Sequence, residues 1–358
     1  MIRVVSAEAV PITFRLREGY RIAGASFTHA FNVILKVVTS DGRTGFGCAS
    51  PAEEVTGETA ERCLVALRDL LLPILREADA GDLRGVGARS AAAAPGCPAA
   101  RAAVDIALHD LLGQRAGQPL ARVLGLRRDR LPTSITLGIE DDAAATLDRA
   151  HRHVSAGFTI LKVKVGENWE ADAALIRSLR DALGPGIALR ADGNQGYSET
   201  QARSFLGALQ PGDLELLEQP IAATDLEGMA RLARDFDLPI MADESLRSEE
   251  EARQIVRAGA ADLVNIKLMK SGGIAPALRI AAITSEGGLG AMAGCNDESR
   301  IGIAAGLHCA LAAPRTERAD LDGHLDLADD VAQGGIRIVD GYAVPFMERA
   351  GLGVSVDL

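Results

Sequence analysis

The sequence predicts an α/β chain: a parallel barrel of (β/α)7β form preceded by a smaller α+β domain. Three observations lead there. Lys164, Asp192, Glu218, Asp243 and Lys267 each end a short apolar run, at successive steps of 28, 26, 25 and 24 residues. A step of ~25 residues suits one strand–loop–helix–loop unit, and barrels of this kind carry their chemistry at the C-terminal strand ends. From about residue 130 strand-like and helix-like runs alternate, whereas earlier the strands come first and the helices follow. The 358 residues also exceed what one hydrophobic core usually holds, so two structural units are expected.

Composition narrows the function. Apolar residues make up 47% and charged residues 24%, which is a globular balance with a sizeable core. Aromatics at 3% with abundant alanine point to a helical shell packed by Ala, Leu and Val. The net charge of −11 excludes a general nucleic-acid binder, which needs clustered Lys and Arg to displace counterions. No run reaches the ~18 apolar residues of a membrane span. The first ten residues include Glu8 and no long apolar region, so no signal peptide is expected there. The five cysteines (Cys48, Cys63, Cys97, Cys295 and Cys309) show no Cys-x-x-Cys spacing and read as reduced, buried thiols, so a cytoplasmic location is expected.

Taken in order, residues 2–14 and 31–39 read as strands, with a mobile Gly-containing loop at 18–29. AspGlyArgThrGly at 41–45 is a hairpin turn, and 50–57 is a second irregular stretch. Helical periodicity covers 58–77 and 99–115, while Pro95 and Pro98 break the Ala-rich run between them. Strands are expected at 132–138, 158–165, 187–193, 214–218, 239–243, 262–267, 289–293 and 317–322. Helices are expected at 141–156, 169–183, 198–209, 225–235, 248–258, 274–286 and 299–312. The division is therefore 1–128, 129–323 for the barrel, and a tail, 324–358, that packs back on the first domain.

Side chains alternate between the two faces of a strand. Lys162 with Lys164, Arg190 with Asp192 and Asn194, Leu216 with Glu218, Met241 with Asp243, Asn265 with Lys267, and Asp320 with Asp322 then point into the barrel. Burying so many charges is costly unless they pair or bind metal. Asp192, Glu218 and Asp243 offer only oxygen, which favours Mg2+ or Mn2+ over zinc. Lys164 and Lys267 flank these acids. Either serves as a general base only if its pKa falls, and Lys162 and a divalent metal would push it down. Two such bases beside a metal-held carboxylate form a layout for removing the proton α to that carboxylate, with Lys162 and the metal stabilising the enolate.

At these positions the chain resembles the enolase superfamily, in its muconate-lactonizing subgroup. The matching stretches are ThrIleLeuLysValLysVal, AlaAspGlyAsnGlnGly, GluGlnPro, AlaAspGluSer and AsnIleLysLeuMetLysSerGlyGly. AlaArgAlaAlaValAspIleAlaLeuHisAspLeu is similar to the capping domain of the same superfamily. AlaAspLeuAspGly at 319–323 is similar to the Asp-x-Asp signature of dipeptide epimerases. The resemblance implies a modified TIM barrel, (β/α)7β, with an α+β capping domain built from the N-terminal region and the C-terminal tail. It implies Lys164 and Lys267 as acid/base catalysts, Lys162 as their electrostatic partner and Asp192, Glu218 and Asp243 as Mg2+ ligands. The reaction it implies is inversion of the α-carbon of a dipeptide's C-terminal residue. Asp320 and Asp322 would hold the free α-ammonium, and Thr136 would contact substrate. Homo-oligomerisation is common among such barrels and is implied here.

Substrate choice is expected from Tyr20 and Arg21 in the first loop, Glu53, Glu54 and Val55 in the second, and Asn296 and Asp297 at the seventh strand end. Ala25 stands where members selective for an acidic side chain carry a basic residue, which argues against an Ala–Glu substrate, and the acids Glu53, Glu54 and Asp297 would favour a cationic side chain, Lys or Arg, at the epimerised position. The alternative within the subgroup is o-succinylbenzoate synthase, N-acylamino-acid racemase or muconate cycloisomerase. Their substrates have no ammonium for Asp320 and Asp322 to hold. Lys270-Ser-Gly-Gly opens a loop–helix junction with the form of a weak phosphate cradle.

Overall fold

A computed structural model describes residues 2–358. The chain begins as an antiparallel sheet of β1 (Val4–Ile22), β2 (Ala25–Thr39) and β3 (Thr44–Ala49). The expected mobile loop at 18–29 is instead the far end of the β1–β2 hairpin, with Tyr20 opposite Phe27 and Ile22 opposite Ala25. The two rings stack at 5.3 Å between centroids, and Gly24 takes the turn at φ +80°. An aromatic cross-strand pair with a left-handed glycine favours a hairpin despite the mixed polarity that reads as loop.

Helix Pro98–Ala116 lies across this sheet. Its inner face is alanine (Ala99, Ala100, Ala102, Ala103 and Ala107), all fully buried, which lets the helix sit against β3 at contact distance. Gly47 is the point of closest approach: a Cβ there would stand 1.9 Å from the carbonyl oxygen of Ala103.

After the short strand β4 (Leu131–Pro132) come eight parallel strands in one sheet. They are β5 (Ile135–Leu137), β6 (Ile160–Lys164), β7 (Ala188–Asp192), β8 (Leu216–Glu218), β9 (Ile240–Ala242), β10 (Leu263–Ile266), β11 (Gly290–Ala293) and β12 (Thr316–Ala319). The sheet runs β5 to β12 in sequence order and curls until Thr133 bridges Ala319. Each barrel helix starts where a polar side chain can take up free N–H groups. Asp142, Asn168, Ser198, Asp225, Ser248 and Ser299 fill that role from their own chain neighbours. Among the long barrel helices the exception is Ile274–Glu286, which begins at Gly273 without a local cap. Asp105, from the alanine-faced helix, caps it across the domain boundary, accepting from the N–H groups of Ile274 at 2.6 Å and Ala275 at 3.3 Å.

The tail adds β13 (Ala332–Gly334), β14 (Ile336–Val339), β15 (Tyr342–Pro345) and β16 (Val354–Val356). β15 pairs with β4, and Leu352 N–H donates to the buried Asp110 of the alanine-faced helix at 2.9 Å. Among the described residues no helix is long and apolar enough to cross a membrane. The alanine contact predicts that Gly47→Ala costs about 1–3 kcal/mol through overpacking. Urea unfolding reads this, and an unchanged midpoint would show that the helix gives way freely.

Candidate active site

The alternation of strand faces decides what meets inside the barrel. Leu161, Val163 and Val165 are fully buried against the helical shell, which turns Lys162 and Lys164 inward. Leu216, Met241, Leu263 and Met292 form an apolar plug within the barrel. On the same faces, toward the C-terminal strand ends, stand Asp192, Glu218 and Asp243, each 0% exposed. Asp192 and Glu218 are direct register partners on β7 and β8.

Ammonium groups lie among these acids. Lys162 Nζ is 3.0 Å from Asp192 Oδ2, 3.0 Å from Glu218 Oε2 and 2.8 Å from Asp320 Oδ2. Lys164 Nζ donates to Asp192 Oδ2 at 2.8 Å and to Asn194 Oδ1 at 2.9 Å. Lys267 Nζ donates to Asp243 Oδ2 at 2.9 Å. Asn265 donates to Glu218 Oε1 at 2.7 Å, while Glu218 Oε2 faces Lys162 without hydrogen-bond alignment. With the lysines in these positions, no three acidic, His or Cys side chains among the described residues form a ready metal cage.

The electrostatics follow from the crowding. Burial and the neighbouring Asp192 push Glu218 up to about 8. Burial also raises Asp192, but Lys162 and Lys164 outweigh it and bring that carboxyl down to about 2. Burial lowers Lys267, yet Asp243 outweighs it and raises this ammonium. Lys162 is raised in the same way by Asp192, Asp320 and Glu218 against the pull of burial. The expected depression of Lys267 is thus opposed by the carboxylate beside it.

Above this layer lies a cavity of about 520 Å3, reached by Lys162, Lys164 and Lys267 from below and by Asp320 and Asp322 from one side. Asp322 accepts from the Thr136 N–H at 2.7 Å, and Asp320 from Ser134 Oγ at 2.7 Å. Thr136, Tyr20, Val55, Asn296 and Asp297 also line the cavity. Tyr20 OH donates to Asp297 Oδ2 at 2.8 Å, and Asn296 Nδ2 to the Ser50 carbonyl at 2.9 Å. Burial pushes Asp297 up to about 6, with Tyr20 pulling the other way. Glu53 departs from expectation: it is exposed and outside the cavity wall, which takes Glu54 and Val55 instead. It opens the one-turn helix Glu53–Thr56, and its side chain projects to solvent.

Two residues that carry this layer escape sequence reading. Lys270 is no phosphate cradle. It is fully buried and donates to Asp243 Oδ1, the Asp243 carbonyl and, at 3.1 Å, the Asn265 carbonyl. Its spacing of three from Lys267, one helical turn, was the available signal. Gln219 locks β8 to the end of β9: its Oε1 accepts from Asp243 N–H at 2.9 Å, and its Nε2 donates to Ser245 Oγ at 2.9 Å.

Comparison with known proteins agrees with this geometry. Residues 5–125 match the mandelate racemase / muconate lactonizing enzyme N-terminal domain, and 145–358 match the enolase C-terminal domain-like family. The chain belongs to the mandelate racemase / muconate lactonizing enzyme family of the enolase superfamily. It is 43% identical to the L-Lys-D/L-Arg epimerase of Methylococcus capsulatus, over 95% of this chain and 96% of that one. It is 37% identical to a hydrophobic dipeptide epimerase of Enterococcus faecalis, over 95% and 96% of the two chains. The crystal structure of the Methylococcus capsulatus dipeptide epimerase with Mg and L-Arg-D-Lys superposes with a TM-score of 0.95 at 41% identity, covering 99% of this chain and 100% of that one.

Lys270→Met keeps the side-chain volume but strips Asp243 of a buried cation. A loss of about 3 kcal/mol or more in urea unfolding is expected for a broken buried pair. An unaltered midpoint would mean that Lys267 alone neutralises Asp243.

Proposed function

We propose that the chain is a magnesium-dependent dipeptide epimerase, an isomerase that inverts the α-carbon of the C-terminal residue and prefers a cationic side chain there. One observation carries the reading: two lysines, Lys164 and Lys267, line one cavity on either side of three buried acids, with a pair of carboxylates, Asp320 and Asp322, beside them.

The residues present fit a hard divalent cation. Their donors are oxygen only, and Glu218, held near 8 beside Asp192, lacks full compensation of its charge. Asp192, Glu218 and Asp243 would hold the ion, which supplies positive charge to polarise the substrate carboxylate and acidify its α-hydrogen. The family's structures named with Mg and dipeptides support the choice of ion and substrate.

The chain's own groups supply the rest. One lysine, as the amine, takes the α-proton from its face and becomes ammonium. The other, already ammonium, returns a proton to the opposite face and becomes amine, so the configuration inverts and the proton count balances. Lys162 faces the enolate formed between these steps and disperses its charge. Asp320 and Asp322 hold the substrate α-ammonium, Thr136 fixes Asp322 through its N–H, and Tyr20, Val55 and Asn296 shape the walls. Asp297 and Glu54 draw a cationic side chain, whereas Arg21 is spent on Asp141 at 2.8 Å. The Lys/Arg relatives support that preference. The same reading takes the protein as a cytoplasmic homo-oligomer divided at 1–128, 129–323 and 324–358.

The test follows deuterium. With Mg2+ and L,L-dipeptides in deuterated water, the second residue gains one mass unit and a new diastereomer appears. Lys267→Ala and Lys164→Ala each lower epimerisation by about 100-fold or more, yet each retains exchange from a different stereoisomer. Absence of exchange in every dipeptide, with turnover of a cyclohexadiene carboxylate instead, would overturn the assignment. Ala–Glu as the best substrate would remove the cationic preference alone.

A further inference from the structure

Two cavity carboxylates have no part in the proposed reaction: Glu18, which pairs with Arg149, and Asp326. Asp326 closes the single helical turn Gly323–Asp326, which begins immediately after Asp322. Residues four apart on a turn lie side by side, so Asp326 stands next to the carboxylate assigned to the substrate α-ammonium. It lines the same cavity. Among the described residues it makes no hydrogen bond or ion pair.

Its position is fixed by the capping strand rather than left to a mobile tail. Arg17 Nε donates to the Leu325 carbonyl at 3.2 Å, and Ala328 N–H donates to the Arg15 carbonyl at 2.9 Å. Leu327 bridges Leu16 and packs with Phe14, Leu16 and Ala30. A half-buried acid held this firmly against a cavity, with no protein cation to satisfy it, is costly unless a ligand supplies the charge. Burial, then Asp322 and Asp297, push its carboxyl up to about 8, with the charge of Arg149 pulling the other way.

The nearby arginines are committed elsewhere. Arg17 donates to the Leu325 carbonyl and, at 3.5 Å, to that of Ala328, and Arg149 pairs with Glu18 at 3.0 Å and Glu140 at 2.9 Å. Arg152 is exposed and is the one cavity arginine without an acceptor among the described residues. Asp297, by contrast, stands at the seventh strand end, where Tyr20 OH donates to it at 2.8 Å, whereas Asp326 follows the eighth strand. The two acids thus reach the cavity from different strand ends. The carbon bearing the α-ammonium also bears the first residue's side chain, and Asp326 lies on that side.

We propose that Asp326 is a specificity-determining residue that reads the N-terminal residue of the dipeptide and selects a lysine or arginine side chain there. This rests on the dipeptide reading and deepens it: the preferred substrates carry cations on both residues.

The experiment measures kcat/KM with Mg2+ for L-Lys-L-Ala, L-Leu-L-Ala, L-Glu-L-Ala, L-Ala-L-Lys and L-Ala-L-Leu in the full-length protein and its variants. In the unaltered protein L-Lys-L-Ala is expected to exceed L-Leu-L-Ala by about tenfold or more. Asp326→Asn brings that ratio close to one, mainly through KM, and leaves the L-Ala-L-Lys to L-Ala-L-Leu ratio in place. Asp326→Arg shifts the first-residue preference to L-Glu-L-Ala, a gain that impaired folding cannot produce. A first-residue ratio unmoved by Asp326→Asn overturns the assignment, as does a preference for L-Glu-L-Ala in the unaltered protein, which would give Arg152 the deciding role. Loss of the second-residue ratio in Asp326→Asn, with the first intact, would place Asp326 beside the second residue and likewise overturn the assignment. Failure of all five peptides to epimerise overturns the dipeptide reading and this assignment with it.

Discussion

The ammonium of Lys162, held within 3.0 Å of three carboxylates inside the barrel, is the contact on which the rest depends. Asp192, Glu218 and Asp320 come from strands that are far apart in sequence, and without a cation between them their mutual repulsion would oppose closure of the sheet. Lys164, Lys267 and Lys270 extend the same arrangement outward, so that Asp192, Glu218, Asp243 and Asp320 are each met by at least one amine. Such a lattice is a poor way to gain stability, since apolar side chains would fill the space at less cost. It is a sound way to hold a cation and a substrate carboxylate, and this points to function rather than folding.

The two domains share the work of building the cavity. The barrel supplies charge at the strand ends, and the β1–β2 hairpin brings Tyr20 over it to meet Asp297. Asn32 and Ser50 both donate to the Asp297 carbonyl, at 2.9 Å and 3.0 Å, tying the seventh strand end to the capping sheet. Asp105 caps helix Ile274–Glu286 from the other domain, just beyond the segment that carries Lys267 and Lys270. Displacing the cap would therefore disturb the floor as well as the roof.

Much of this was legible in the sequence because two short periods govern it. Strand alternation assigned Lys162, Asp192, Glu218 and Lys267 to the inner face, and the recurrence of charged residues marked the strand ends. What escaped depended on contacts between distant residues. The hairpin at 18–29 is held by Tyr20 against Phe27, a pairing that local polarity conceals. Lys270 reads as the start of a weak phosphate cradle at a loop–helix junction until the helical turn carries it beneath Asp243. Glu53 and Glu54 are adjacent in sequence, and only the one-turn helix decides that Glu54 faces the cavity. Asp326 gave no signal, because its meaning lies in its place beside Asp322 and in the absence of a partner.

The central claim is that the buried acids are a cation site and not merely an internal ion-pair network. Calorimetric titration of the protein with Mg2+, in the absence of any substrate, tests it most directly. The account predicts saturable binding of one ion per chain, weakened at least tenfold by Glu218→Gln. Binding that is absent, or that is indifferent to Glu218→Gln, would contradict it.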